Sequence, residues 1–203
     1  MKIGIFGGTF DPPHTGHLLA ASDAFEALAL DRLYWIPTAQ QPLKLGAQGA
    51  SAGDRLAMVR LAVTGDARFE VDAMEIERAG LSYTVDSLES LHSRHPSDDM
   101  VLLVGADVVS SFGQWRTPRR IGQLARIAVM QRTSDVGQVE RDALVDALRA
   151  VTGRDVPAAE VLDTRRVDIS STEIRERVRN ARALTGFVPD AVARYITERG
   201  LYR

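Results

Sequence analysis

The 203-residue sequence contains no cysteine, which excludes a disulfide framework, a thiolate metal site and a cysteine nucleophile. It also lacks a basic excess. Twenty-five Lys and Arg stand against 27 Asp and Glu, a balance that argues against a dedicated nucleic-acid binder. A small anionic ligand stays open, because a few local cations and a helix start suffice to hold one. No apolar run approaches the roughly 20 residues that span a bilayer, so no membrane partner is expected. The first residues, a short apolar strand followed by glycines and prolines, do not read as a signal peptide, and a cytoplasmic protein is the default. Internal repeats and low-complexity segments are missing too. The expectation is one domain over 1–203, with a homo-oligomer left open.

What is present is an alternation of strands and helices. KIGIF (2–6), LYWIP (33–37), residues 69–71, MVLLVG (100–105), RIAVM (126–130) and VLD (161–163) read as strands, with VDI (167–169) as a further short one. Helices are expected from His17 to about Leu30, and over 54–63, 84–93, 138–150, 171–182 and 189–199, with short helical pieces in 106–125. Residues 38–53 have no periodicity and read as a long loop. This order predicts an α/β fold: a Rossmann-like, doubly wound parallel sheet with helices on both faces and a small C-terminal helical appendage. Ligands in such sheets lie beyond the carboxyl ends of the strands, at the point where strand order reverses.

The first of those ends carries GGTFDPPHTGH. Gly7 and Gly8 suit either a tight turn with positive φ or the close approach of a ligand to the backbone. They form neither a dinucleotide-binding GxGxxG nor a P-loop. His14 and His17, three apart at a helix start, suit phosphate contact, since a neutral imidazole donates and a protonated one adds charge. Metal ligation or plain packing are the alternatives. Near the other end of the chain, Ser170 and Glu173 fit a capping box, and the hydroxyls of Ser171 and Thr172 could equally hold a phosphate. Arg175 is the odd member, because a cation in a helix's first turn is unfavourable unless an anion is present.

Together, GTFDPPHTGH and ISSTEIR resemble the nucleotidyltransferase superfamily that carries HxGH and ISSTxxR motifs. The wider pattern is similar to the bacterial nicotinate mononucleotide adenylyltransferases: GGTFDPPHTGHL (7–18), WIP with Lys44 beyond it, SYTVDSL (82–88), VGAD (104–107), Trp115, QR (131–132) and a terminal GLYR. The resemblance implies adenylyl transfer from ATP to nicotinate mononucleotide, with release of pyrophosphate and with Mg²⁺ travelling on the ATP phosphates rather than in a protein cage. It places His14, His17, Lys44 and Arg175 on the phosphates, with Ser171 and Thr172 as further donors. Asp107 would take the adenosine ribose, its alternative being a helix cap. Gly7, Gly8, Thr9 and Phe10 would line the seam between the nucleotides. Arg132 would serve the ATP side or stand as a solvated surface residue. Trp115 would stack on the pyridine ring, or be a core residue, and the backbone amides of Tyr83 and Thr84 would receive the carboxylate.

Two positions depart from the family pattern. Leu43 stands where a histidine commonly precedes the basic residue, and Thr133 where a proline often follows the arginine. Rival readings are a phosphopantetheine adenylyltransferase, an enzyme acting on nicotinamide mononucleotide, and a nucleotide-binding sensor. The SYT segment and Trp115 have no place in the first. A pure binder has no need of His17.

Overall fold

In the computed structural model, which describes residues 1–42, 49–131, 137–157 and 159–203, six parallel strands form one sheet. They are β1 (Lys2–Gly8), β2 (Arg32–Pro37), β3 (Phe69–Val71), β4 (Asp99–Gly105), β5 (Arg126–Gln131) and β6 (Glu160–Asp163), in the order β3-β2-β1-β4-β5-β6. The helices are α1 (Thr15–Ala27), α2 (Ala52–Val63), α3 (Met74–Arg78), α4 (Thr84–Arg94), α5 (Ala106–Val109), α6 (Pro118–Leu124), α7 (Gln138–Thr152), α8 (Ser171–Arg179) and α9 (Asp190–Glu198). A 3₁₀ turn at Phe112–Gln114 follows α5. Among the described residues no helix is long and apolar enough to cross a membrane.

The strands are apolar on both faces, as a sheet covered on both sides requires. Along β4, Met100, Leu102 and Val104 face one core with Ile3, Ile5, Tyr34 and Ile36, and meet Leu88 of α4, Ile121 of α6 and Leu148 of α7. Val101 and Leu103 face the other with Phe6, Leu33 and Trp35, and meet Ala21 and Ala24 of α1 and Val59 of α2. The predicted helices on both faces are therefore present. The C-terminal helices rest on α2 instead of the sheet. Met58 packs there with Ile174, Val188, Val192 and Ile196 in a third core.

Two local expectations change. Residues 167–169 form no strand. Having left the sheet at β6, the chain runs irregularly past the carboxyl edge, and Val167 and Ile169 line a cleft instead of pairing. The helix expected from His17 starts earlier, at Thr15, which makes His14 its N-cap. The five-residue α3 is too short for periodicity to announce.

Candidate active site

Strand order reverses between β1 and β4, and the segments leaving these strands face each other there. Gly7 and Gly8 do not turn the chain. Both extend β1, and the left-handed conformation falls on Phe10, at φ 49°. Gly8 answers to a close approach: a Cβ on it would lie 2.9 Å from the Phe10 ring. That ring is buried against Phe6 and Trp35, with centroids 5.4 and 5.2 Å away.

His14 is buried and its backbone is extended, as an N-cap requires. Its N–H donates to Nδ1 of His17 at 3.2 Å, the return half of a capping box built from histidine. With Nδ1 accepting, the neutral His17 ring carries its proton on Nε2. The two imidazoles stack at 3.7 Å, and Phe10 meets His17 edge-on at 5.2 Å. Gly16 between them leaves room for this arrangement, because a Cβ there would sit 3.0 Å from His14 Nδ1.

These histidines line a cleft of about 130 Å³ with Gly105 at the end of β4 and Asp107 just beyond it, Met130 at the end of β5, and Thr164, Arg165, Val167 and Ile169 beyond β6. Asp107 is exposed at the cleft and is not a helix cap. Gly105 occupies that position, and no side chain caps α5. Arg165 is aimed by Asp23 of α1, which accepts from its backbone N–H and its Nη2, both at 2.8 Å. Burial pushes the Asp23 carboxyl up, but the Arg165 hydrogen bonds outweigh it and hold it below the usual range.

Ser171, Thr172 and Arg175 stand beside the Asp11–Pro12 backbone. The Ser171 hydroxyl donates to the Pro12 carbonyl at 2.8 Å, and Arg175 donates to the Asp11 carbonyl at 2.7 Å and to Thr172 Oγ1 at 3.2 Å. The Asp11 carboxylate, 4.0 Å from Arg175, accounts in part for a cation in a helix's first turn. Ser170 accepts from the Glu173 N–H at 3.1 Å, so this pair is a cap.

Tyr83 and Trp115, expected beside the pyridine ring, pack on the core that α4 covers. The Trp115 ring is backed by Phe112 at 4.7 Å, nearly parallel, and the residue is half-buried against the core. Thr84 opens α4, so its N–H is one of the helix's orphan donors. The Arg116 guanidinium lies 4.9 Å over the Tyr83 ring and pairs with Asp86 at 3.4 Å. A relay joins this end to the first loop. Only its first step is backbone to backbone: Ser82 N–H donates to the Gln40 carbonyl, and the side-chain Oε1 of the next residue, Gln41, accepts from the Thr9 hydroxyl. Lys44 and Arg132 lie outside the described residues.

Beneath the SYT segment, Glu75 is 6% exposed and accepts from the Ser87 hydroxyl at 2.6 Å. Burial raises its carboxyl above the ordinary glutamate range, against the pull of hydrogen bonds from Ser87 and Ser82. A folded-state value above the unfolded one adds stability below the unfolded value, and this is lost as pH rises through the folded value. The melting temperature of the wild type relative to Glu75→Gln should therefore rise as pH is lowered from 8 toward 5. A difference that stays flat across melts in that range would show that Glu75 titrates like an exposed glutamate.

Motif reading passes over Arg55, Glu75, Arg165 and Tyr202. Arg55 had a signal: it falls on the buried face of α2 with Met58, Val59 and Val63, where an arginine is out of place. Tyr202 sits in the terminal GLYR, which carried the family pattern without a role.

Two stacked histidines at a helix start, across a switch-point cleft from an exposed aspartate, define a nucleotide-binding α/β protein of the nucleotidyltransferase type. The cytidylyltransferase-like family model matches residues 5–177. A "Probable nicotinate-nucleotide adenylyltransferase" of Gemmatimonas aurantiaca is 53% identical over 203 residues, all of this chain and 93% of that one. Another of the same description from Roseiflexus is 42% identical, over 99% of this chain and 98% of its own length. Among solved structures, Plasmodium falciparum nicotinic acid mononucleotide adenylyltransferase complexed with NaAD superposes with a TM-score of 0.78 at 14% identity, covering 99% of this chain and 97% of that one, a likeness of fold. The chain belongs to the nicotinate-nucleotide adenylyltransferases of the cytidylyltransferase-like family.

Proposed function

We infer that ATP reacts in the cleft between β1 and β4. The chain is a nicotinate-nucleotide adenylyltransferase, joining the adenylyl group of ATP to nicotinate mononucleotide and releasing pyrophosphate. The observation that carries the choice of cleft is the pinned His14–His17 pair, which lines it with imidazoles of the kind that suit phosphate.

The 5′-phosphate of the mononucleotide attacks the α-phosphorus of ATP in line. It is already anionic at neutral pH, so the reaction needs no enzyme nucleophile and no strong base, and catalysis rests on position and charge. His17 Nε2–H donates to the α-phosphate as charge develops there. His14 holds the neighbouring oxygens. Asp107 accepts from the ribose hydroxyls. Arg175 and Lys44 receive the departing pyrophosphate, with Ser171 and Thr172 beside them and Arg132 on the ATP side. Gly7, Gly8, Thr9 and Phe10 form the seam between the two nucleotides. Trp115 takes the pyridine ring, and the Tyr83 and Thr84 amides take its carboxylate.

Mg²⁺ is expected to arrive on the ATP phosphates, whose charge it neutralises. The donor set suits that route, since one exposed carboxylate, Asp107, faces the cleft and the carboxylate of Asp11 accepts hydrogen bonds from protein donors.

Pyrophosphate release should be fast with ATP, Mg²⁺ and nicotinate mononucleotide, slower with nicotinamide mononucleotide, and undetectable with phosphopantetheine. An amide in place of the carboxylate would turn an NH₂ toward backbone donors and lose their hydrogen bonds. Equal rates with acid and amide would remove the role given to Tyr83 and Thr84. Tight ATP binding without release from any acceptor would favour a sensor.

A further inference from the structure

The loop that leads to the histidines is held from outside by side chains of three remote segments. Its carbonyls at Thr9, Asp11 and Pro12 accept from Arg55 of α2 at 2.8 Å, Arg175 of α8 at 2.7 Å and Ser171 of α8 at 2.8 Å. The Asp11 side chain is the hub. Its Oδ1 accepts from the Ala50 N–H at 3.0 Å and from the Tyr202 hydroxyl at 2.6 Å. Tyr202 is the second residue from the end of the sequence and 191 residues from Asp11 along the chain. Its ring packs on the third core with α8 and α9. Backbone strain is present at both ends of this contact, with Phe10 at φ 49° and Tyr202 at φ 66°. Both left-handed residues are bulky aromatics, a conformation that persists only when surrounding contacts impose it.

We propose that Tyr202 is a positioning residue for adenylyl transfer, acting through Asp11 to hold the Thr9–Pro12 backbone and, beyond it, His14 and His17. The proposal rests on the reaction assigned above. Tyr202 itself touches neither reacting phosphate. Its hydroxyl orients the carboxylate of Asp11, and the loop's carbonyls stay aligned with Arg55, Ser171 and Arg175 while that carboxylate stays in place. Burial, followed by the Asp11 hydrogen bond, raises the Tyr202 hydroxyl above the usual tyrosine range, so it remains a donor through neutral and mildly alkaline pH.

Tyr202→Phe keeps the ring and deletes the hydroxyl. With ATP and nicotinate mononucleotide it should lower kcat by about tenfold, because small displacements of reacting groups are costly in rate. KM for both substrates should stay within about twofold, and the melting temperature within about 4 °C, the shift expected for one lost hydrogen bond. In an Asp11→Ala background the same change should add nothing, since the hydroxyl acts only through that carboxylate. Should Asp11→Ala not fold, the kinetics and melt of Tyr202→Phe decide alone. Unchanged kcat in Tyr202→Phe overturns the proposal. So does a loss confined to KM, a loss that merely tracks unfolding at the assay temperature, or an effect that multiplies with Asp11→Ala. A wild-type protein that releases no pyrophosphate from these substrates overturns the assigned reaction itself, whereas an active wild type with an indifferent Tyr202→Phe overturns this inference alone.

Discussion

His17→Ala should lower kcat for adenylyl transfer by about 10²–10³, the usual loss when one preorganised donor to transition-state charge is removed. In the proposed reaction His17 is such a donor. Nδ1 is held by the His14 N–H at 3.2 Å, one ring face lies on His14, and Phe10 closes an edge, so Nε2–H is fixed before ATP arrives. A fixed donor gains little from the ground-state phosphate and most from the charge that forms during transfer. KM for ATP should therefore change much less than kcat. The substitution strips the N-cap amide of its partner, which costs about 1 kcal/mol and shifts the melting temperature by about 2–4 °C. Steady-state kinetics beside a thermal melt separate these effects. A change confined to KM would contradict the role given to His17.

The largest stability effect is expected at Arg55. The residue is 5% exposed, and its guanidinium donates to three carbonyls from three segments: Thr9 at 2.8 Å, Ala39 at 2.9 Å and Ala50 at 3.3 Å. Burial lowers its pKa, yet an arginine remains charged at any working pH. Arg55→Met keeps much of the length and leaves three part-buried carbonyls without that donor, at about 1–3 kcal/mol each. Relief from burying a charge offsets part of this. A net loss of about 3 kcal/mol lowers the melting temperature by about 6–12 °C in a protein of this size. Arg55→Lys should recover only part, because one ammonium cannot span the fork that the guanidinium fills. A melt of Arg55→Met within about 2 °C of wild type would show that the three contacts contribute little. Activity should fall with it, since the Thr9 carbonyl that Arg55 holds belongs to the loop that leads to His14 and His17.

The fold was legible because its strands are long apolar runs and its helices carry periodic apolar faces, signals that survive without knowledge of partners. MVLLVG could only be a strand buried on both faces, and its place as β4 followed from the alternation. The histidines were legible because HTGH sits between a strand and a helix. Asp107 was named through the VGAD of the family resemblance, and its freedom from capping needed coordinates. Arg55, Glu75 and Tyr202 stayed hidden for another reason. Their partners lie from 5 to 191 positions away along the chain, and no local pattern encodes such pairings.

Chain chemistry alone therefore settles the α/β class, and it points to the sheet's carboxyl edge and to a phosphate-seeking first loop. These depend on propensity, periodicity and residue type, all local properties. Folding settles which faces meet. It stacks His14 on His17, turns Gly8 toward Phe10 instead of into a bend, routes 164–169 along the cleft, and brings Tyr202 to Asp11. Those outcomes depend on distances between residues remote in sequence, and such distances exist only once the sheet and its helices have packed.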